Sequence, residues 1–142
     1  MKPPVMRGKG LVKGSANGVA LISMKAFTFA HGVEPSTGVV TDVRSDVNGM
    51  NLRGRILFYP FGKGSTTASS WFLETVRLGN NPAAIVTEAV DLSAVIGSVM
   101  AKIVYGKEIP IVSEVPRAIY ARLKSGDRVF LDAMTGVVRA EE

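Results

Sequence analysis

The sequence predicts a mixed α/β domain in which antiparallel strands at both chain ends flank a central parallel strand-helix-strand unit. Three observations predict it. Apolar runs of strand type at residues 55–59 and 83–86 bracket a segment whose apolar residues recur at helical spacing. Glycine and proline punctuate both joins, at Gly62-Lys63-Gly64 and at Gly79-Asn80-Asn81-Pro82. Toward both ends the apolar runs are short and separated by turn residues, as in hairpins. With 142 residues, 46% of them hydrophobic and 20% charged, the chain reads as one globular domain over 1–142.

Taken in order, residues 5–14 and 18–23 read as two strands of a hairpin turning at Ser15-Ala16-Asn17-Gly18, where Asn and Gly supply the turn chemistry. The run Val19-Ala20-Leu21-Ile22 is continuous rather than alternating, so that strand is expected to be covered on both faces. Phe27 and Phe29 alternate with polar or small neighbours. A turn-rich loop at 31–38 follows, then Val39-Val40 as a brief pairing segment, then a polar loop at 45–54. The strand at 55–59 is stopped by Pro60. A helix over 68–78, opened by Ser65-Thr66-Thr67, turns Trp71, Phe72, Thr75, Val76 and Leu78 inward and Glu74 and Arg77 outward. Trp71 is expected in the core.

Strand 83–86 then closes a right-handed parallel crossover. Asp91 caps a helix over Leu92–Tyr105, apolar nearly all round, whose Gly97 and Ser98 permit close packing against the sheet, and Gly106 ends it. A strand at 109–112, a helix at 116–124 with proline in its first turn, and a hairpin of Arg128–Asp132 with 137–140 complete the fold.

Composition excludes several chemistries. Without cysteine there are no disulfides, no thiolate catalysis and no iron-sulfur cluster held by this chain alone. One histidine, His31, leaves almost no material for a zinc site or a Ser-His-Asp triad, and it reads as a surface loop residue. No apolar run reaches membrane-spanning length and the first residues lack a secretory signal core, so a cytoplasmic protein without membrane contact is expected. The net charge of +5 is scattered and allows nucleic-acid binding on charge alone, although the few aromatics are not interleaved with a basic stripe. It suits a small anionic substrate equally well, and no nucleic-acid partner is expected.

The stretch richest in chemistry is Leu57 to Ser70. Strand, glycine turn and helix N-terminus follow one another, Gly62 and Gly64 allow close backbone approach, and the helix dipole with the Lys63 ammonium favours an anion there. Ser65 sits in the middle of that field. It is either an N-cap, worth about 1 kcal/mol, or a residue that meets a ligand. The spacing is not that of a Walker A loop, since Gly64 follows Lys63.

Five motifs in order carry a family resemblance. Ser15-Ala16 with Gly18 and Ala20-Leu21, the Gly32-Val33-Glu34-Pro35 loop with Thr37-Gly38, Gly54-Arg55-Ile56-Leu57 with Pro60, Gly62-Lys63-Gly64-Ser65, and Asn81-Pro82-Ala83-Ala84-Ile85 resemble the small subunit of aconitase X enzymes. The resemblance covers nearly the whole chain. It implies a swivelling β/β/α domain that forms a heterodimer with a separate aconitase X large subunit. It also implies a hydro-lyase: the large subunit holds an iron-sulfur cluster of the 4Fe-4S type, which binds the leaving hydroxyl as a Lewis acid, while a serine on the swivelling domain removes the proton. The motif match carries that catalytic serine to Ser65, with Lys63, Gly64 and Thr66 shaping the substrate-binding surroundings. Helix amides and a neighbouring cation are the groups that can stabilise a serine alkoxide.

Two activities are implied within the family. The basic balance favours dehydration of (R)-mevalonate 5-phosphate to trans-anhydromevalonate 5-phosphate in the archaeal mevalonate pathway, and the alternative is dehydration of cis-3-hydroxy-L-proline. His31 stands where the family pattern has glycine, Glu34 where it has aspartate, and Ala68-Ser69 where Gly-Ser is common. From other classes, a non-catalytic anion-binding module would use Gly62 to Thr66 simply to hold a phosphate, and a nucleic-acid binder would lose affinity steeply with salt. Arg44 and Arg53, near the polar loop, are either solvated surface or anion contacts.

Overall fold

Strand β4 (Ile56–Tyr59) is buried along its whole length, and its alternating side chains feed two different cores in the computed structural model, which describes residues 4–141. Leu57 and Tyr59 pack with Leu21, Ile85 and Phe72, whereas Ile56 and Phe58 pack with Ala20, Val86, Leu131 and Val138. A strand with one solvated face would alternate polar and apolar residues. Here the continuous apolar run is required because both faces are covered. Each fully buried large side chain of this kind contributes about 1.5–3 kcal/mol.

The first core lies under the helices α1 (Thr66–Arg77) and α2 (Leu92–Tyr105), and the second lies between the two halves of the sheet. Eight strands form a mixed sheet. The parallel part joins β3 (Ser15–Ile22), β4, β5 (Ala84–Thr87) and β6 (Ile111–Ser113), with Ala20 opposite Ile56, Leu57 opposite Ile85 and Val86 opposite Val112. The antiparallel part continues from β3 to β7 (Arg128–Asp132), β8 (Val137–Glu141) and β1 (Val5–Arg7), while β2 (Lys9–Val12) pairs with β6. The mixed architecture, the central parallel crossover and the antiparallel terminal strands are those expected. The two ends of the strand order, β1 and β2, are separated only by Gly8, so the sheet curls until one bent strand stitches both its edges. A Cβ on Gly10 would collide with the Ala133 carbonyl, and one on Gly136 with that of Gly8, so this seam requires glycine.

Several expectations are corrected. There is no hairpin at Ser15-Ala16-Asn17-Gly18: β3 runs straight through it, with Asn17 opposite Phe130 and Gly18 opposite Val129. Gly18 serves close approach instead, since a Cβ there would lie 3.0 Å from the Gly54 carbonyl oxygen. Gly97 packs against the Phe72 ring of α1, not the sheet, while Ser98 Oγ donates to the Ile109 carbonyl. The helix expected over 116–124 is a single short turn, α3 (Arg117–Tyr120). Beyond it the Asp127 carboxylate takes the Lys124 amide at 2.9 Å and the Gly126 amide bonds Ala20 O, which draws the chain off toward β3. Leu78, expected inward, is 40% exposed as the C-cap residue of α1.

The remaining elements shift only at their ends, α1 starting at Thr66 and β6 at Ile111, because Pro110 has no amide to donate. Phe27 and Phe29 are buried, and Val39 and Val40 pair with Asn51 and Val33 as single bridges. Trp71 is half-buried rather than core: its Nε1 donates to Val33 O at 2.6 Å and its ring lies against the His31 ring at a tilt of 51°. No helix among the described residues is long and apolar enough to cross a membrane.

Candidate functional site

The carboxyl ends of β4 and β5 lie side by side, and each leads through a short loop into a helix N-terminus. After Tyr59 the chain passes Pro60 and pairs Gly62 with Phe27, the Lys63 amide donating to Phe27 O at 3.1 Å. Gly64 then takes φ 64°, a left-handed conformation open to glycine at little cost. Ser65 follows in extended conformation as the N-cap of α1, its Oγ accepting the Ala68 amide at 3.2 Å. After Thr87 the second loop reaches Asp91, which caps α2 through Oδ1 to the Ala94 amide. The two loops touch, since a Cβ on Gly62 would collide with the Asp91 carboxylate.

Ser93, in the first turn of α2, ties the two helix ends together. Its Oγ donates to Ser65 O at 2.9 Å and accepts from Ser65 N at 3.3 Å, so one hydroxyl holds both backbone polar groups of Ser65. Ser69 Oγ in turn donates to Ser93 O at 2.9 Å. A cleft of about 300 Å³ opens here, lined by Gly64, Ser65, Thr66, Ser69, Leu92, Ser93 and Ile96. Ser65 and Thr66 are exposed to it, and the amides of Thr66 and Thr67 have no hydrogen-bond partner among the described residues. Oriented donors, a dipole and an exposed hydroxyl make the cleft suited to a small anion and to a serine oxyanion. A cavity of about 460 Å³ on another flank of α1 is bounded by Glu34 and Glu74, whose charge disfavours an anion. One of about 270 Å³ between β2 and α2 is mainly apolar and shares no residue with the serine cleft.

Three of the four expected site residues, Ser65, Gly64 and Thr66, line one cleft. Lys63 differs: its Nζ is paired with Asp42 Oδ2 at 3.0 Å, so its charge is already partly answered. The Arg44 backbone amide, and after it the Lys63 ammonium, hold the Asp42 carboxyl below the usual range. Arg44 lies beside the same carboxylate at 3.6 Å with its side chain 81% exposed, and Arg53 is exposed. His31 is exposed too and takes φ 57°, a left-handed conformation that glycine adopts at less cost.

Sequence reasoning missed Ser93 and Asp42 as members of this neighbourhood. Ser93 was findable in principle: two parallel neighbouring strands that each end in a capped helix must bring their first turns together. Asp91 was identified only as a cap. The structure gives it a second bond, from the buried Tyr59 hydroxyl to Oδ2 at 2.6 Å. Burial, and next the Asp91 charge, push the Tyr59 phenol well above its ordinary range.

Comparison with known proteins gives a consistent result. Residues 5–140 match the family model of the aconitase X swivel domain. The phosphomevalonate dehydratase small subunit of Pyrococcus furiosus is 36% identical over 133 residues, covering 94% of this chain and 92% of that protein. The protein of the same name from Methanosarcina acetivorans is 30% identical, over 97% of this chain and 92% of its own length. Among solved structures, the holo-form crystal structure of Thermococcus kodakaraensis aconitase X superposes with a TM-score of 0.87 at 34% identity, covering 98% of this chain and 99% of that one.

Proposed function

The chain belongs to the aconitase X swivel domain family, and from that premise we propose that it is the small subunit of a hydro-lyase that dehydrates (R)-mevalonate 5-phosphate to trans-anhydromevalonate 5-phosphate. In this reading it acts only with its large subunit, as a heterodimer in the cytoplasm, on a small anionic substrate. The observation that carries the reading is the Ser65 hydroxyl, exposed in a cleft at the open end of α1, where it accepts the Ala68 amide while Ser93 Oγ holds the Ser65 backbone. The names of the relatives support the substrate.

The chemistry follows from what leaves. Dehydration breaks a C–H bond beside the substrate carboxylate and the C–O bond on the next carbon. The C–H electron pair becomes the new double bond, the hydroxyl departs with its own pair, and Ser65 Oγ takes the proton. Serine is a poor base unless its oxyanion is stabilised. The Ala68 amide donates to Oγ, and α1 contributes the positive end of its dipole with no acidic residue in its first turn. Capping and catalysis are therefore the same hydrogen bond used twice. Thr66 and Gly64 border the substrate, and Lys63 meets it by exchanging Asp42 for a substrate anion.

The chain has no cysteine, so its own residues do not fit an iron-sulfur cluster. The cluster of the family reaction, of the 4Fe-4S type, belongs to the large subunit in this reading. Anaerobic co-expression with that subunit, followed by assay with mevalonate 5-phosphate and cis-3-hydroxy-L-proline, is the test. Water loss from mevalonate 5-phosphate is expected. Turnover of the hydroxyproline alone would move the protein to amino-acid catabolism, and phosphate binding by the isolated chain with no turnover in the pair would leave a simple anion-binding module.

A further inference from the structure

Helix α2 is built from apolar residues on all sides, and only one side of it is buried. Ala94, Gly97, Ser98 and Ala101 face inward, while Leu92, Ile96, Val99 and Ile103 stand 64%, 47%, 44% and 72% exposed in a row along the outer face. From Leu92 to Ile103 this row is about 16 Å long at helical rise. Of the fifteen exposed large apolar side chains of the described residues, seven lie on α2, and Phe61 and Val90 lie in the two loops that lead to the helix N-termini. The apolar surface is thus concentrated on one side rather than scattered, which is the pattern of a protein interface. Lys102 is the one charged residue within the helix, and Glu108 neutralises it at 3.0 Å.

The row does not stop short of the serine cleft. Leu92 and Ile96 are two of the walls of that cleft, and Val99 and Ile103 continue from them into the apolar cavity beside β2. We propose that the outer face of α2 is the surface on which the large subunit docks. This rests on the proposed function: a partner that completes a reaction at Ser65 has to close over a cleft of which α2 is one wall, and the uncharged row running away from that wall gives it area to bury. A second copy of this chain fits less well. Seated on the same face it would cover Leu92 and Ile96 with their own counterparts, shutting both clefts and adding no chemistry. A stable interface also needs about 800 Å² per partner, more than one helix face offers, so the contact spreads across the cleft rim to Phe61.

The test places a charge at the far end of the row, away from Ser65. Ile103→Glu and Val99→Glu, made in the full chain, are titrated against the purified large subunit and compared with Met134→Glu, a control at an equally exposed position in the β7–β8 turn. The isolated variants are expected to keep the wild-type melting temperature. Ile103→Glu and Val99→Glu should weaken association at least about tenfold, with kcat restored when the large subunit is saturating, and Met134→Glu should change neither. Wild-type affinity in both α2 variants, alongside normal turnover of the wild-type pair, overturns the docking surface and leaves the proposed function standing. An isolated wild-type chain that dimerises, with the dimer split by Ile103→Glu and large-subunit binding intact, assigns the face to a second copy and overturns it as well. A wild-type chain that neither binds the large subunit nor turns over overturns both.

Discussion

Two helix N-termini meet at the carboxyl edge of the sheet, built alike and finished differently. Each follows a parallel strand, each is capped by an oxygen of the residue just before it, and one serine of α2 bonds across to the other. At α2 the cap is the Asp91 carboxylate, partly buried, with its second oxygen taken by the Tyr59 hydroxyl. Its negative charge answers the helix dipole from within the protein. At α1 the cap is an uncharged hydroxyl, exposed to the cleft. The dipole there is left for something from outside. In the proposed function one end serves stability and the other meets the ligand, and the charge of the cap and the partner of its second oxygen distinguish the two.

If that division holds, Ser65→Ala should lower kcat of the assembled pair by roughly 10²–10⁴-fold while costing about 1 kcal/mol of stability. Substantial activity in the assembled variant would remove Ser65 from the role of base. Asp91→Ala should do the reverse. It loses a cap and strands a buried phenol, about 2–3 kcal/mol together, read as a lower denaturant midpoint of the isolated chain. A variant as stable as wild type would mean that the α2 end carries no special burden. The smallest effect is with pH. The folded Tyr59 phenol holds its proton well above the ordinary range, so the unfolded chain ionises first. Stability is then complete below about pH 10 and declines as the pH rises past it. Because burial is the larger cause, Asp91→Asn should retain that decline, and losing it would shift the weight to the carboxylate.

Legibility in the sequence followed the range of the interactions concerned. Both limits of α2 were readable because Asp91 and Gly106 cap it through bonds to residues within a turn or so. Ser65 was readable as the centre of the glycine turn for the same reason. The Asn17-Gly18 pair was misleading because its local turn preference yields to the ladder with β7 and to the Gly54 carbonyl pressed against Gly18. The helix after Pro116 ended early because of Asp127 and Ala20, which no helical pattern contains. At the site, Ser93 and Asp42 stand 28 and 21 residues from the groups they hold, and their contacts exist only after the strands have paired. The family resemblance suggested the role proposed for Ser65, and the geometry gives the groups that hold it in place.

The bent strand around Gly8 bears on how the molecule is made. Val5 pairs with Arg139 and Lys9 with Ser113, so β1 and β2 wait during synthesis for partners that lie far downstream in the chain. Until then the β3–β6 layer has one unsatisfied border on each side, open to strands of other chains. Contacts this distant in sequence close more slowly than a helix forms, so closure of the seam is expected to follow the helices.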